Sequence, residues 1–223
     1  MTADLRDARP PASDRTRVRR KPERGHYDRA TIDAILDQAF LGHVGYVLDG
    51  QPYVVPTSVW RQGDRLYWHG SSASRMLRAT KGGMPVCITV TLVDALVLAR
   101  SGFDHSIDYR SVMVLGEAWE VEGEAQKRDA LRQLVEHLYP GRWDELRPVT
   151  RRELKATTVM WTGLSEASAK IRDIGPHDEP GDETWPAWAG SIPLLSVPGV
   201  PQPDPFVPEG MAPPALSKLL RSQ

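Results

Sequence analysis

Two turn signals, Asp49-Gly50 and Gln62-Gly63-Asp64, constrain this chain more than any other feature in it. Asp-Gly favours a two-residue hairpin turn, because both central positions need a positive φ that these residues tolerate. The first turn joins a β-prone run, His43 to Leu48, to a second, Tyr53 to Trp60. The next turn sends the chain back as Leu66 to His69. Strands joined by such tight turns can only pair antiparallel, so the three form a meander. Pro56 has no N–H for a ladder, which puts its stretch at an edge or a bulge.

The third strand runs into Gly70-Ser71-Ser72, a turn signal, and then into a helix-compatible stretch, Ser74 to Thr80. A helix N-terminus presents unpaired N–H groups and partial positive charge, so strand, small-residue turn and helix in that order can seat a phosphate. Ser71, Ser72 and Ser74 add hydroxyls, and Arg75 adds a planar fork of donors. An ordinary Ser-capped helix with a solvated Arg fits the same residues.

Around this meander the pattern alternates between strands and helices. Ile32, Ile35, Leu36, Ala39 and Phe40 recur at helical spacing, with Asp28 as N-cap and Gly42 as stop. Met84 to Arg100 reads as two buried β runs, PVCITVTL and ALVLAR, meeting near Val93-Asp94, with Cys87 packed inside the first. Ser101 to Arg110 is a loop of polar and aromatic residues, the usual place for binding groups. Val112 to Val121 reads as a strand in which Gly116 marks a bulge or close approach. Gly123 to Tyr139 is an amphipathic helix with Leu131, Leu134, Val135 and Leu138 on one face, and Thr150 with Glu153 forms a capping box. Ala156 to Gly163 is a further strand. Ser165 to Arg172 reads as a short polar stretch whose Lys170 and Arg172 fit either positive charge for an anionic group or exposed helix-end cations. The expected organisation is a basic flexible arm over 1–24, one mainly β domain with flanking helices over 25–175, and a tail rich in Pro and Trp over 176–223. That tail would pack Trp185 and Trp188 on the domain or on a second subunit.

Composition excludes several functions. At 223 residues and 40% hydrophobic content the chain can bury a real core, and a net charge of -1 provides no global field for nucleic acid or an anionic membrane. One cysteine cannot build a disulfide framework. No apolar run approaches the roughly 20 residues of a membrane span, and Met1 to Lys21 lacks a signal-peptide middle, so the reading is a cytoplasmic protein. The six histidines show no zinc-ligand spacing, and no nucleophile elbow, P-loop or internal repeat occurs.

Pro52 to Trp60, WHG-SSASR, Pro85 to Val93, DALVLARS and SIDYRSVMVLG resemble the pyridoxamine 5′-phosphate oxidase-related proteins, in the branch containing the nitroimidazole-resistance proteins. The resemblance implies an FMN-binding split β-barrel of about six strands, a homodimer with its flavin at the subunit interface. It implies flavin contacts from Val55, Pro56, Thr57, Ser58, Trp68, His69, Ser71, Ser74, Arg75, Met76, Tyr109, Arg110, Ser111 and Lys170. His69 and Tyr109 fall on the substrate side, as candidate catalytic residues. It implies an FMN-dependent oxidoreductase acting on nitro or other small electrophilic compounds. Three alternatives accompany it: a nonenzymatic flavin- or haem-binding protein with His69 and His105 as axial ligands, a deazaflavin in place of FMN, and pyridoxamine 5′-phosphate oxidase itself. Against the last, no W-x-x-x-R-L segment matches, since Trp185 and Trp188 are followed by Ala, Gly and Pro. The branch also has Asn where Asp108 stands, which would alter the charge of the pocket.

Overall fold

A computed structural model describes residues 9–219. In chain order the elements are β1 (Gly25–His26), α1 (Arg29–Gln38), β2 (Leu41–Leu48), β3 (Gln51–Gln62), β4 (Arg65–Ser71), α2 (Arg75–Thr80), β5 (Met84–Leu98), β6 (Ser106–Glu120), α3 (Glu124–Leu138), α4 (Arg151–Ala156), β7 (Thr157–Gly163), β8 (Ala167–Arg172) and β9 (Gly190–Pro193). Short 3-10 turns add Pro22–Arg24, Trp143–Glu145, Asp182–Thr184 and Leu216–Leu219.

Local chemistry explains many of these boundaries. Asp49 and Gly50 adopt φ of 52° and 78°, the hairpin geometry that their sequence predicts, and Gly63 supplies φ of 57° in the next turn. The Asp28 carboxylate accepts the Thr31 N–H at 2.7 Å, satisfying one unpaired donor at the start of α1. Thr150 and Glu153 exchange the two bonds of a capping box at α4.

Six strands close into a ring in the order β2, β3, β4, β7, β6, β5, each pair antiparallel. This is the split barrel, and β8, β1 and β9 extend it at the outer edges of β6 and β5. Inward positions alternate with outward ones, so Val44, Val86, Ile88, Val90, Val112 and Val114 are all buried with Ile32, Ile35 and Leu36 of α1 in one core. Burying each such side chain stabilises the fold by about 1.5–3 kcal/mol. A second core lies under α3, where Ala130 and Leu134 cover Trp60, Tyr67 and Val159.

Several expectations change. Met84 to Leu98 is one continuous strand, not two: the register with β6 shifts between Val93 and Ala95, so Asp94 is a bulge. A bulge and a short connection look alike in sequence, because both interrupt alternation with a polar residue. Ser165 to Arg172 is not an exposed polar stretch. Ala167, Ser168 and Ala169 are buried in β8, between β6 and β1. Of the segment read as an arm, Ser13 donates to Glu166 at 2.5 Å, Thr16 is buried, and the Val18 N–H donates to the Tyr27 hydroxyl. Residues 1–8 lie outside the described residues. Within this single chain Trp185 and Trp188 are 66% and 65% exposed, and the tail joins the barrel through β9, paired with β5.

Candidate functional site

The ring is not evenly joined. β3 pairs with β2 through Ser58 and with β4 only from Val59, where Val59 opposes Trp68. Beyond that point β4 continues against β7 alone, through His69, Gly70 and Ser71. The two strands therefore part, and the Thr57 hydroxyl, donating to the His69 carbonyl at 3.3 Å, bridges them there. Pro56 sits on the part of β3 that has lost its β4 neighbour, the edge that its missing N–H predicts.

Alternation then sorts the β3 candidates. Val55 and Thr57 share one face with Tyr53, whereas Pro56 and Ser58 take the other. Val55 packs against the core. Trp68 and Met76 are also core residues, fully buried and 6% exposed, so each offers a ligand its backbone and not its side chain.

The turn after β4 is more committed than its sequence suggests. The Ser72 N–H donates to the Ala156 carbonyl and the Ser74 N–H to the Ser71 carbonyl, both at 2.8 Å, while the Ala73 N–H donates to the Ser71 hydroxyl. What is left for an anion is the first turn of α2, the Ser74 hydroxyl, which caps nothing, and Arg75. The Arg75 guanidinium lies 4.3 Å above the Tyr53 ring and makes no ion pair among the described residues. Tyr53 is the ring that holds Arg75 and is absent from the sequence candidates; its i, i+2, i+4 relation to Val55 and Thr57 is the signal that points to it. Tyr53 in turn stacks on Tyr46 at 5.3 Å.

The remaining cations divide. Arg110 is held by Asp94 at 2.7 Å and by Gln38 at 2.8 Å, at the end of α1. Arg172, read as an exposed cation or as charge for an anionic group, is buried against Asp108 and donates to the Gly175 carbonyl at 2.8 Å. Asp108 is therefore neutralised internally, so its replacement of Asn does not add charge to a pocket. Lys170 makes no ion pair among the described residues, and its carbonyl accepts the Ser111 hydroxyl at 3.3 Å. Tyr109 lies on β6 beside Arg172 and Val93, and no hydrogen bond or ring contact joins it to His69.

His69 is half-buried, its ring edge-on to Trp60 with the ring centroids 5.9 Å apart. Burial lowers its pKa below the ordinary 6.5, so the ring is neutral at pH 7, and its buried Nδ1 has no partner. Burial also raises the Cys87 thiol, which keeps it protonated and unreactive. A cavity of about 660 Å³ lies elsewhere, between α3 and the aromatic row Tyr67, Trp161 and Trp119, with Arg65 stacked 3.8 Å over Trp161.

The model of the family described as pyridoxamine 5′-phosphate oxidase matches residues 28–171, a span that includes the whole ring. The chain belongs to this family. Among solved members of this fold, the flavocytochrome Anf3 of Azotobacter vinelandii is 44% identical, with a TM-score of 0.86 over 92% of this chain and 96% of its own. An FAD- and haem-binding protein of Mycobacterium smegmatis is 35% identical, with a TM-score of 0.82 over 87% and 95%. A candidate 5-nitroimidazole antibiotic-resistance protein of Bacteroides thetaiotaomicron is 26% identical, with a TM-score of 0.55 over 66% and 86%. No functionally curated protein matches the chain. No helix of the described residues is long and apolar enough to cross a membrane.

Proposed function

We propose that this pyridoxamine 5′-phosphate oxidase family protein is a flavin-dependent oxidoreductase that binds its flavin nucleotide along the split between β3 and β4. The observation that carries this reading is Arg75, a cation with no ion pair among the described residues, laid over Tyr53 where the strands part. A phosphate fits there, with bonds from the Ser74 hydroxyl, the first N–H groups of α2 and the Arg75 fork, and Ser71 and Ser72 beside it. The isoalloxazine supplies the electron-transfer chemistry. The protein's part is to fix it: the Thr57 bridge and the β3 edge hold backbone donors in place, and Lys170 with Ser111 brings positive charge and a hydroxyl from β6 and β8. His69, neutral with an unpartnered buried nitrogen, and Tyr109 are proposed to contact the substrate.

FMN and FAD share the phosphate that this cradle would take, and the 35% identical FAD-binding relative supports FAD. The outward face of the ring supports a homodimer, since Leu41, Val47, Val54 and Val93 are 52%, 55%, 67% and 43% exposed there. The nitroimidazole-resistance relative supports nitro compounds as one acceptor class to assay with NADH and NADPH. The visible spectrum of the purified protein, followed by heat release and chromatography, tests the cofactor. Arg75→Ala removes a charge-assisted contact worth about 1.5–3 kcal/mol, so flavin should bind roughly ten- to 150-fold more weakly. Unchanged affinity would refute the cradle.

A second reading adds haem to the flavin. Two relatives of 35% and 44% identity, a flavocytochrome and an FAD- and haem-binding protein, favour it. A Soret band in the purified or haem-reconstituted protein would establish it.

A further inference from the structure

We infer that the cavity between α3 and the β4, β7 and β6 side of the ring is a binding site for a planar aromatic cation. The inference does not depend on the flavin reading, because Arg65 and Tyr67 stand near the start of β4 and the phosphate cradle follows its other end. In the ring β7 stands opposite β2, so the cavity also lies away from the apolar face offered for the dimer.

Register sets the floor of this cavity. Tyr67 opposes Trp161 across β4 and β7, and Trp161 opposes Trp119 across β7 and β6. Directly opposed residues project to the same face of a sheet, so the three side chains form one aromatic row. Neighbouring strands lie about 4.8 Å apart, so a row over three strands spans about 10 Å, the breadth of two or three fused rings.

The row is held in place and left uncovered. Trp119 is 40% exposed, yet its ring is seated against Gly83, where an added Cβ would come 2.9 Å from it. Gly163, opposite Arg65, has no side chain, and the space one would take is open. On the helix side Ala125 and Ala130 line the cavity. These small residues leave a volume of about 660 Å³ over the rings, within the range of about 300–1,000 Å³ usual for small-molecule sites.

The charge of the guest follows from the groups around the row. The face of an indole attracts cations, and here one ring already carries one: the Arg65 guanidinium lies 3.8 Å from the Trp161 ring centroid and makes no ion pair among the described residues. Three carboxylates line the same cavity. Glu120 is shared between Lys81 and Lys127, at 3.8 and 4.0 Å. Asp129 accepts only the Gln62 amide, at 3.4 Å, and Glu122 makes no ion pair among the described residues. Two negative charges therefore face the single positive charge of Arg65. A planar cation stacks on Trp119 and Trp161 with its charge toward Glu122 and Asp129, whereas a planar anion would gain Arg65 alone and be repelled by both carboxylates.

The test uses the full-length protein with excess flavin, so that the proposed flavin seat is filled, and three probes built on one ring system. These are 9-aminoacridine, a cation at pH 7, neutral acridine, and acridine-9-carboxylate, an anion. Binding is read by fluorescence anisotropy of the probe, with the melting temperature of each variant as the folding control. The cation should bind most tightly. Trp119→Ala should weaken it roughly two- to thirtyfold, the range of one cation–π contact. Glu122→Gln with Asp129→Asn, both exposed positions, should weaken it without disturbing the fold. Arg65→Ala should tighten it, because that change uncovers Trp161 and removes the opposing charge. An anion that binds most tightly, and that Arg65→Ala weakens, would overturn the proposal. Cation binding unchanged by Trp119→Ala and by the carboxylate variant would place the probe elsewhere and refute the site, as would a protein that binds none of the three.

Discussion

Removing the Asp108 carboxylate should damage this protein more than any change in its exposed charges. Asp108 and Arg172 are 10% and 8% exposed, and they tie β6 to β8 where the chain leaves the barrel. In Asp108→Ala the guanidinium keeps only the Gly175 carbonyl and stays buried without a counterion. Breaking a buried pair from one side costs about 3–5 kcal/mol, mostly the penalty of the orphaned charge. For a chain of this size each kcal/mol shifts Tm by roughly 2–4 °C, so the variant should melt roughly 6–20 °C lower. Replacing both partners tests the reasoning: in Asp108→Ala with Arg172→Met the orphaned charge is gone, and stability should return to within about 1 kcal/mol of the parent. Urea unfolding followed by tryptophan fluorescence reads all three proteins. A single variant that loses less than about 1 kcal/mol, or a double variant no better than the single, would refute the argument.

Gly116 faces Thr162 so closely that an added Cβ would overlap its hydroxyl, so Gly116→Ala should cost about 1–3 kcal/mol, and Thr162→Ala in the same chain should relieve it; additive effects would count against the close approach. His69 has a lowered pKa, so on acidification the unfolded chain takes up a proton before the folded one does. Stability should therefore begin to fall below about pH 6.5, and His69→Phe should flatten that limb of the urea-derived stability profile. The Arg100 N–H, followed by its side chain, holds the Asp178 carboxyl below its ordinary 3.8. The latch between tail and barrel is thus intact at neutral pH and lost as pH falls through that lowered value. Asp178→Ala should release it at pH 7, measured as faster proteolysis after residue 176.

The elements that sequence determined are those whose causes are local. Asp49-Gly50, the Asp28 cap, the Thr150 capping box and the helical stripe of Ile32, Ile35 and Leu36 each act within a few residues, and each stands in the structure as read. The Ser71 to Arg75 turn and the β3 stretch were legible as candidates for the same reason, and the family resemblance placed them together. What only tertiary structure decided is pairing and charge balance. β8 looks polar because Ser168, Lys170 and Arg172 dominate its letters, yet it is buried between β6 and β1, partners distant in sequence. Nothing near Arg110 or Arg172 in the chain says that one meets Asp94 and the other Asp108 across the sheet, leaving Arg75 without an acidic partner at the split. Neutralisation depends on distance through space, which a sequence does not carry; a turn depends on neighbouring backbone angles, which it does.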